Sequence, residues 1–184
     1  MWCSGWQRAG TVVRMLSRCI AYLTQNEIRY SHSVHKAVGV HGFSLPEGIR
    51  LQDLASTVVY CAGNRYGMLL LPASWLGQFW ELVDFAEVRR LTGSRAIRLA
   101  TASDLAALFP NCEVSALPPF GSLFQMPVLL AQDLTATESI KFSIGMPRDV
   151  IRISTADFKK LEEPIVTSFA ATKCCRPTAA KAAA

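Results

Sequence analysis

The stretch LASTVVYCAGNRYGMLLLP, residues 54–72, predicts a β-hairpin. Residues 54–61 and 66–72 are rich in valine, tyrosine and leucine, which favour strands. The segment AGNR between them contains the glycine and asparagine that tight turns prefer. Because the two strands of a hairpin are antiparallel, a sheet built around them is not purely parallel.

The sequence on both sides of the hairpin alternates irregularly between strand and helix patterns. Apolar residues at steps of three and four predict an amphipathic helix over 13–23. We also predict strands at 27–34, 96–100, 126–131, 139–144 and 149–154, and helices at 78–91, from Ser103 to before Pro110, and at 156–162. The sequence therefore predicts an α+β (mixed α/β) fold, a single compact domain in which helices pack around a mixed β-sheet that includes hairpins.

Length and composition favour one folded domain with additional sequence at both ends. The chain has 184 residues, of which 51% are hydrophobic, enough for one core and too few for two ordinary ones. We predict a disordered N-terminal extension at 1–14, a domain at 15–170 and a flexible tail at 171–184, where the composition becomes simple.

Charge and cysteine content limit the partners and the compartment. The net charge of +5, from 19 basic and 14 acidic residues, favours a polyanionic partner. No apolar run is long enough to cross a bilayer, so no membrane partner is expected. The six cysteines include no CxxC pair, which indicates free thiols in a reducing compartment, and we predict a cytoplasmic location.

The segment CEVSALPPFG, residues 112–121, predicts a stiff loop between two core elements. Pro118 and Pro119 restrict the backbone, and Gly121 allows a sharp turn directly afterwards. Such a loop can hold amide N–H groups at fixed positions for a ligand. The simpler alternative is a rigid connector that binds nothing.

Two other kinds of site are not favoured. His32 and His35 would point to opposite faces of a strand, so we predict no metal site and no cofactor. Ser56, Ser115 and Asp133 could in principle join His32 in a catalytic triad. No G-x-S-x-G elbow accompanies any serine, which argues against a nucleophilic mechanism.

Three aromatic residues, Trp75, Phe79 and Trp80, follow the hairpin closely. Their spacing is typical of the buried face of a helix. The alternative is an exposed platform on which a nucleic-acid base stacks.

Four stretches, in this order along the chain, resemble the YbaK / prolyl-tRNA-synthetase-associated domain family. They are TVVYCAGNRYGMLLLPAS (57–74), RAIRLATASDLAALFPNCE (95–113), LPPFGSLFQMPVLL (117–130) and IKFSIGMPRDVIRISTADFKKLEEPIV (140–166). The resemblance extends from about Ile28 to Ala170. Domains of this family, free-standing or inserted in prolyl-tRNA synthetases, hydrolyse the ester of wrongly charged aminoacyl-tRNA.

The resemblance implies an aminoacyl-tRNA deacylase whose partner is a tRNA acceptor end carrying a wrong amino acid. Its alternative is a catalytically weak module with the same fold that binds tRNA or an aminoacyl-tRNA synthetase. Neither reading involves DNA. In both, Ser56 and the 115–121 loop are expected to face one shared cleft.

The resemblance also assigns roles by position. The lysine of the family's K-T-V-V pattern falls on Ser56, and the glycine of its G-x-x-x-P motif falls on Ser115, with the proline at Pro119. The histidine of its N-A-G-S-H segment falls on Pro147. The implied catalytic positions are Ser56 and Gly121, and the implied substrate-binding positions are His32, Ser115, Pro118, Pro119, Phe120, Ser143 and Gly145.

Overall fold

The computed structural model describes residues 6–40, 43–79 and 83–168, with backbone alone for 6–14, 40 and 43. The strands are β1 (Tyr30–Val34), β2 (Ala37–Val40), β3 (Phe43–Pro46), β4 (Leu54–Ala62), β5 (Arg65–Pro72), β6 (Ile97–Leu99), β7 (Val128–Ala131), β8 (Ser139–Ile144), β9 (Met146–Ser154) and β10 (Ile165–Thr167). The α-helices are α1 (Trp6–Gln25), α2 (Phe85–Thr92), α3 (Ala102–Leu108) and α4 (Thr155–Glu162).

The predicted hairpin lies at the centre of the sheet. β4 and β5 pair antiparallel from Ala55 opposite Pro72 to Ala62 opposite Arg65. Gly63 closes the turn at φ 63°, a conformation that glycine adopts without strain. The hairpin prediction is confirmed, and each strand is one residue longer at the turn than predicted.

An eight-stranded sheet forms around this hairpin, in the order β1-β9-β8-β4-β5-β7-β10 with β6 paired to β4. The β4–β8, β5–β7 and β7–β10 pairs are parallel, and the other pairs in this sheet are antiparallel. β2 and β3 form a separate two-stranded sheet. The predicted single α+β domain with a mixed sheet is therefore confirmed.

Both faces of the central strands are buried, which explains their continuous apolar sequence. On one face, Val59, Met68 and Leu70 belong to a core completed by residues of α1, α4 and the 109–126 segment. On the other face, Tyr60 and Leu69 pack with residues between 71 and 91. The alternation of side chains along a strand sends neighbouring residues into different cores.

The structure corrects several element boundaries. α1 begins at Trp6 and ends at Gln25, so it extends beyond both ends of the helix predicted over 13–23. Within the predicted helix 78–91, α2 starts after Asp84, because that side chain accepts hydrogen bonds from the Ala86 and Glu87 amides. A 3-10 turn occupies Ala73–Gln78, and residues 80–82 of the prediction lie outside the described residues. Strands β2, β3 and β10 were not predicted.

The remaining differences lie near the ends of the domain and in α3. Thr101, not Ser103, caps α3, in a capping box with Asp104. Residues 171–184 of the predicted tail lie outside the described residues. Among the described helices, none is both long and apolar enough to cross a membrane.

Candidate functional site

A cavity of about 350 Å³ opens beside β4. Its described lining residues share one property, the lack of an ionisable side chain. They are Ser56, Thr57, Val58, Val59, Leu76, Gly77, Gln78, Phe79, Leu99, Ala100, Leu105, Val114, Ser115 and Leu117. Its volume is in the range of small-molecule sites, and its walls suit a neutral, largely apolar group.

The cavity lies where one edge of β4 changes neighbours. The β8 register with β4 covers Leu54 and Ala55, and the β6 register covers 60–62. Between these two ladders, the described residues supply no strand partner for this edge of β4. The sheet is therefore open beside Ser56, Thr57 and Val58, and the cavity occupies that opening.

Among the site residues predicted from the sequence, Ser56 is the one on β4 that lines the cavity. It is buried, with 5% of its surface exposed. Its Oγ has no hydrogen-bond partner among the described residues. A buried hydroxyl without a partner costs about 1–3 kcal/mol, which a ligand that bonds to it would recover.

Tyr60, four residues further along β4 and on the same face as Ser56, offers a useful comparison. Its hydroxyl is also buried and without a partner among the described residues, and burial raises the pKa of this phenol to about 12. Tyr60 is not one of the residues that line the cavity. The two hydroxyls thus share an unbonded state but differ in their access to the candidate site.

Ser115 reaches the cavity because the β8–β9 turn holds its segment in place. The Gly145 amide donates to the Ala116 carbonyl oxygen at 2.7 Å, and the Glu113 amide donates to the Gly145 carbonyl oxygen at 3.0 Å. Gly145 has φ 73°, so the turn needs a residue that accepts the left-handed conformation. Ser56 and Ser115 therefore line one cavity, from different parts of the chain.

β6 and α3 also line the cavity, through Leu99 and Leu105. Asp104 ties α3 to its neighbours: its carboxylate accepts from Arg98 Nη1 at 2.6 Å, from the Thr101 amide at 2.8 Å and from Tyr66 Oη at 2.7 Å. The Arg98 guanidinium, with the other hydrogen bonds, holds the pKa of Asp104 well below its ordinary value. This network fixes the start of the helix that carries Leu105 to the cavity.

The Pro118–Gly121 segment lies in the core next to the site. All of these residues are buried, and none of them lines the cavity. The Phe120 ring makes edge-on contacts with Tyr22 at 5.5 Å and Phe142 at 5.3 Å between centroids. The structure thus brings Ser115 to the cavity but places the four residues from Pro118 to Gly121 behind it.

Ser122, the second residue after Phe120, has a protein acceptor. Its amide donates to Glu162 Oε2 at 3.0 Å, and its hydroxyl donates to the same oxygen at 3.1 Å. Tyr22 Oη donates to Glu162 Oε1 at 3.0 Å. Glu162 is 8% exposed, and its burial raises its pKa although these hydrogen bonds oppose the rise.

The other predicted site residues lie away from the cavity wall. Ser143 Oγ donates to the Pro147 carbonyl oxygen at 3.0 Å. His32, on the edge strand β1, has its Nε2 3.1 Å from Asp149 Oδ1. Neither residue lines the cavity. In the described part of the chain, no group of three His, Cys, Asp or Glu side chains is arranged to hold a metal ion.

Sequence reasoning missed several cavity residues, among them Gln78, Leu99, Leu105 and Val114. The strand and helix near 97–108 were predicted, but no local pattern indicates that β6 pairs with β4 next to Ser56. That pairing is a tertiary contact. The sequence shows only that Leu99 and Leu105 are apolar.

Comparisons with known proteins agree on the fold. The family profile described as aminoacyl-tRNA editing domain matches residues 46–161. No curated protein matches the chain. Among solved structures, a protein described as "a putative trans-editing enzyme for prolyl tRNA synthetase" has a TM-score of 0.63 at 16% identity, over 84% of this chain and 95% of that one.

Two further structures have similar scores. A scaffold from computational epitope grafting has a TM-score of 0.63 at 17% identity, over 84% of this chain and 96% of that one. A protein described only as hypothetical has a TM-score of 0.66 at 12% identity, over 82% of this chain and 97% of that one. At such identities the structural likeness concerns the fold alone, whereas the profile match covers more than half of the sequence. The chain therefore belongs to the aminoacyl-tRNA editing domain family, as its resemblance to the YbaK / prolyl-tRNA-synthetase-associated domains predicted.

Proposed function

We propose that this chain hydrolyses the ester between a wrong amino acid and the 3′ end of a tRNA, and that the cavity beside β4 holds the aminoacyl group. The observation that carries the proposal is Ser56. By the resemblance it falls on the position of the family lysine. In the structure it lines, with Ser115, a cavity whose described lining is uncharged, and its buried hydroxyl has no hydrogen-bond partner among the described residues.

The reaction requires positioning more than a nucleophilic side chain. A water oxygen bonds to the ester carbonyl carbon, the bond from that carbon to the ribose oxygen breaks, and the ribose oxygen takes up a proton. The free hydroxyl of the terminal ribose can orient the water, so the tRNA supplies part of the catalysis. In this proposal Ser56 bonds to the ribose or phosphate in place of lysine, and Ser115 contacts the aminoacyl group.

The remaining predicted site residues take supporting roles. Gly145 holds the segment of Ser115, and Ser143 ties β8 to Pro147. Gly121, Pro118, Pro119 and Phe120 form the packed layer behind the cavity. Because the Ser122 amide already donates to Glu162, and Gly121 lies outside the cavity lining, the proposal assigns neither amide to the substrate carbonyl. His32 remains a candidate contact for the tRNA outside the cavity.

The test is single-turnover hydrolysis of alanyl- and cysteinyl-tRNA(Pro) by the purified full chain. We expect hydrolysis above the spontaneous rate, and a rate about tenfold lower for Ser56→Ala, the effect of losing one hydrogen bond. Tyr60→Phe is the matched control, because it also removes a buried, unbonded hydroxyl but outside the cavity. Hydrolysis that is insensitive to Ser56→Ala would place the chemistry elsewhere.

A second function is tested by the same assay, because the described lining of the cavity contains no cation. A module that binds acylated tRNA or a synthetase without hydrolysing the ester would need no lysine at position 56. Its signature is tRNA binding with hydrolysis at the spontaneous rate. This outcome would reject the deacylase proposal and support the binding module.

A further inference from the structure

The open edge of β4 presents the main chain of Thr57 to the cavity. The Lys141 amide donates to the Asp53 carbonyl oxygen at 3.3 Å, and the Ala100 amide donates to the Val59 carbonyl oxygen at 2.9 Å. Both acceptors therefore face the edge on which β8 and β6 lie. Along a strand, peptide groups alternate between the two edges. Thr57 is four residues after Asp53 and two before Val59, so its N–H and C=O face the same edge as theirs.

The opposite edge of β4 agrees with this alternation. Ala62 and Arg65 flank a two-residue turn, a place where the paired residues bond to each other. In steps of two from Ala62, the main chain of Val58 and Ser56 faces β5, and that of Thr57 faces away from it. Two independent registers thus give Thr57 the same orientation.

On the edge of β4 that β8 and β6 share, Thr57 has no ladder partner among the described residues. The β8 register stops at Ala55, and the β6 register starts at Tyr60. Thr57 is nevertheless buried, with 7% of its surface exposed, and it lines the cavity. A buried main-chain donor and acceptor without partners are rare, because each costs about 1–3 kcal/mol.

We propose that the Thr57 main chain is the receptor for the α-aminoacyl group: its N–H donates to the ester carbonyl oxygen, and its C=O accepts from the α-amino group. This inference rests on the proposed function and specifies how the substrate is recognised. An α-aminoacyl group contains the N–Cα–C=O sequence of one residue. It can therefore form the doubly bonded pair of an antiparallel ladder with the single open residue of β4.

This arrangement fits the electrostatics of the cavity. Its described lining has no cation that would repel a protonated amino group and no carboxylate that would attract it. A main-chain carbonyl is then the acceptor that the wall offers. As negative charge develops on the carbonyl oxygen of the ester, the hydrogen bond from the Thr57 N–H strengthens. This bond would supply part of the stabilisation that a lysine would otherwise provide.

The first arm of the test measures binding without hydrolysis. The probe is 3′-alanylamino-3′-deoxyadenosine, whose amide replaces the labile ester, and its propionyl counterpart lacks the α-amino group. We expect the propionyl compound to bind about tenfold more weakly. We also expect the alanyl compound to shift the ¹⁵N–¹H resonance of Thr57 more than that of Leu69 on β5. Equal affinity for the two compounds would overturn the proposal.

The second arm removes the Thr57 N–H. It also makes the Ser56 carbonyl a weaker acceptor toward β5, and the control at Leu69 accounts for that loss by weakening the same β4–β5 pairing. Replacing Thr57 by its α-hydroxy acid analogue converts the amide into an ester and leaves the side chain unchanged. We expect about tenfold weaker binding of the alanyl probe and an equal or larger loss in the single-turnover rate. The same replacement at Leu69 is the control, since it breaks a β4–β5 ladder bond without touching the Thr57 main chain.

The arms separate this inference from the proposed function. Wild-type binding and turnover in the Thr57 analogue, with unchanged thermal unfolding, would overturn the inference and leave the deacylase proposal standing. Loss of probe binding at Thr57 but not at Leu69, in a chain that does not hydrolyse the ester, would support the inference and reject the deacylase. Equal losses at both positions would assign the effect to weakened pairing and overturn the inference.

Discussion

At Gly121 the backbone lies closer to Met126 and Val128 than any residue with a side chain would allow. A Cβ there would lie under 3.0 Å from the Met126 carbonyl oxygen and from Val128 Cγ2. Met126 is held at this distance because its amide donates to the Gly121 carbonyl oxygen at 3.0 Å. Position 121 therefore requires glycine because this loop packs tightly against β7 and the residues just before it.

We predict that Gly121→Ala lowers the free energy of unfolding by about 2 kcal/mol, because the backbone must move to accept the methyl group. Urea unfolding followed by circular dichroism measures this. Gly39→Ala is the matched control: a Cβ on Gly39 meets nothing within 4 Å, so the change should stay within about 0.5 kcal/mol. If Gly121→Ala were as stable as the wild type yet inactive, Gly121 would contact the substrate directly.

Ser56 also allows a prediction at the scale of one side chain. We predict that Ser56→Lys raises the single-turnover rate of ester hydrolysis about tenfold, because an ammonium in the cavity stabilises developing negative charge. The same variant should be less stable, since the described lining of the cavity contains no carboxylate to pair with the charge. Ser56→Met, of similar length but uncharged, is the control and should not accelerate the reaction. An unchanged rate in the lysine variant, with unchanged tRNA affinity, would favour the binding module.

At the scale of elements, Glu162 joins α4, α1 and the 3-10 turn that follows Phe120. Its carboxylate accepts from Tyr22 on α1 and from both the amide and the hydroxyl of Ser122. Burial dominates these bonds and raises the Glu162 pKa in the folded state. Three elements behind the cavity thus depend on a carboxyl group that binds its proton more tightly when the protein is folded.

This pKa shift predicts a pH dependence of stability. In the interval between the ordinary carboxyl pKa of 4.5 and the higher folded pKa, the folded state holds more protons than the unfolded state. The contribution of Glu162 to stability is therefore greatest below pH 4.5 and is lost as the pH rises through the folded pKa. We expect Glu162→Gln to remove this decline in urea unfolding between pH 4.5 and 7. An identical pH profile in the variant would contradict the prediction.

At the scale of the whole molecule, one sheet couples two cores. Leu70 and Leu69, neighbours on β5, lie in different cores on opposite faces, and β4 and β7 divide their side chains in the same way. Loss of the central strands would open both cores together. We therefore expect a single unfolding transition, with the same midpoint by circular dichroism and by tryptophan fluorescence.

The domain boundaries at 15 and 170 are a prediction for limited proteolysis. Trypsin should cut at Lys173 and Lys181 before it cuts between 95 and 130, because the latter segment contributes to both the cavity and the core. Mass spectrometry of the first fragments measures the order. Early cleavage within 95–130 would contradict a single stable domain.

The sequence alone determined the features that depend on local patterns. The AGNR turn between two apolar strands predicted the hairpin, and the three-and-four spacing predicted α1, because periodicity and turn chemistry act over a few residues. The four stretches quoted above, in their order along the chain, were enough to identify the family, and the profile match confirmed it. The same reasoning pointed to Ser56 and Ser115, both of which line the cavity.

Only the tertiary structure decided what surrounds these residues. The opening beside Thr57 exists because β8 and β6 pair with different ends of β4, and such pairings join residues that are far apart in sequence. For the same reason no local pattern revealed that Asp149 bonds to His32, or that Glu162 accepts from the amide and hydroxyl of Ser122. Residue types and periodicity fix which elements form, whereas their packing decides which backbone groups remain open to a ligand.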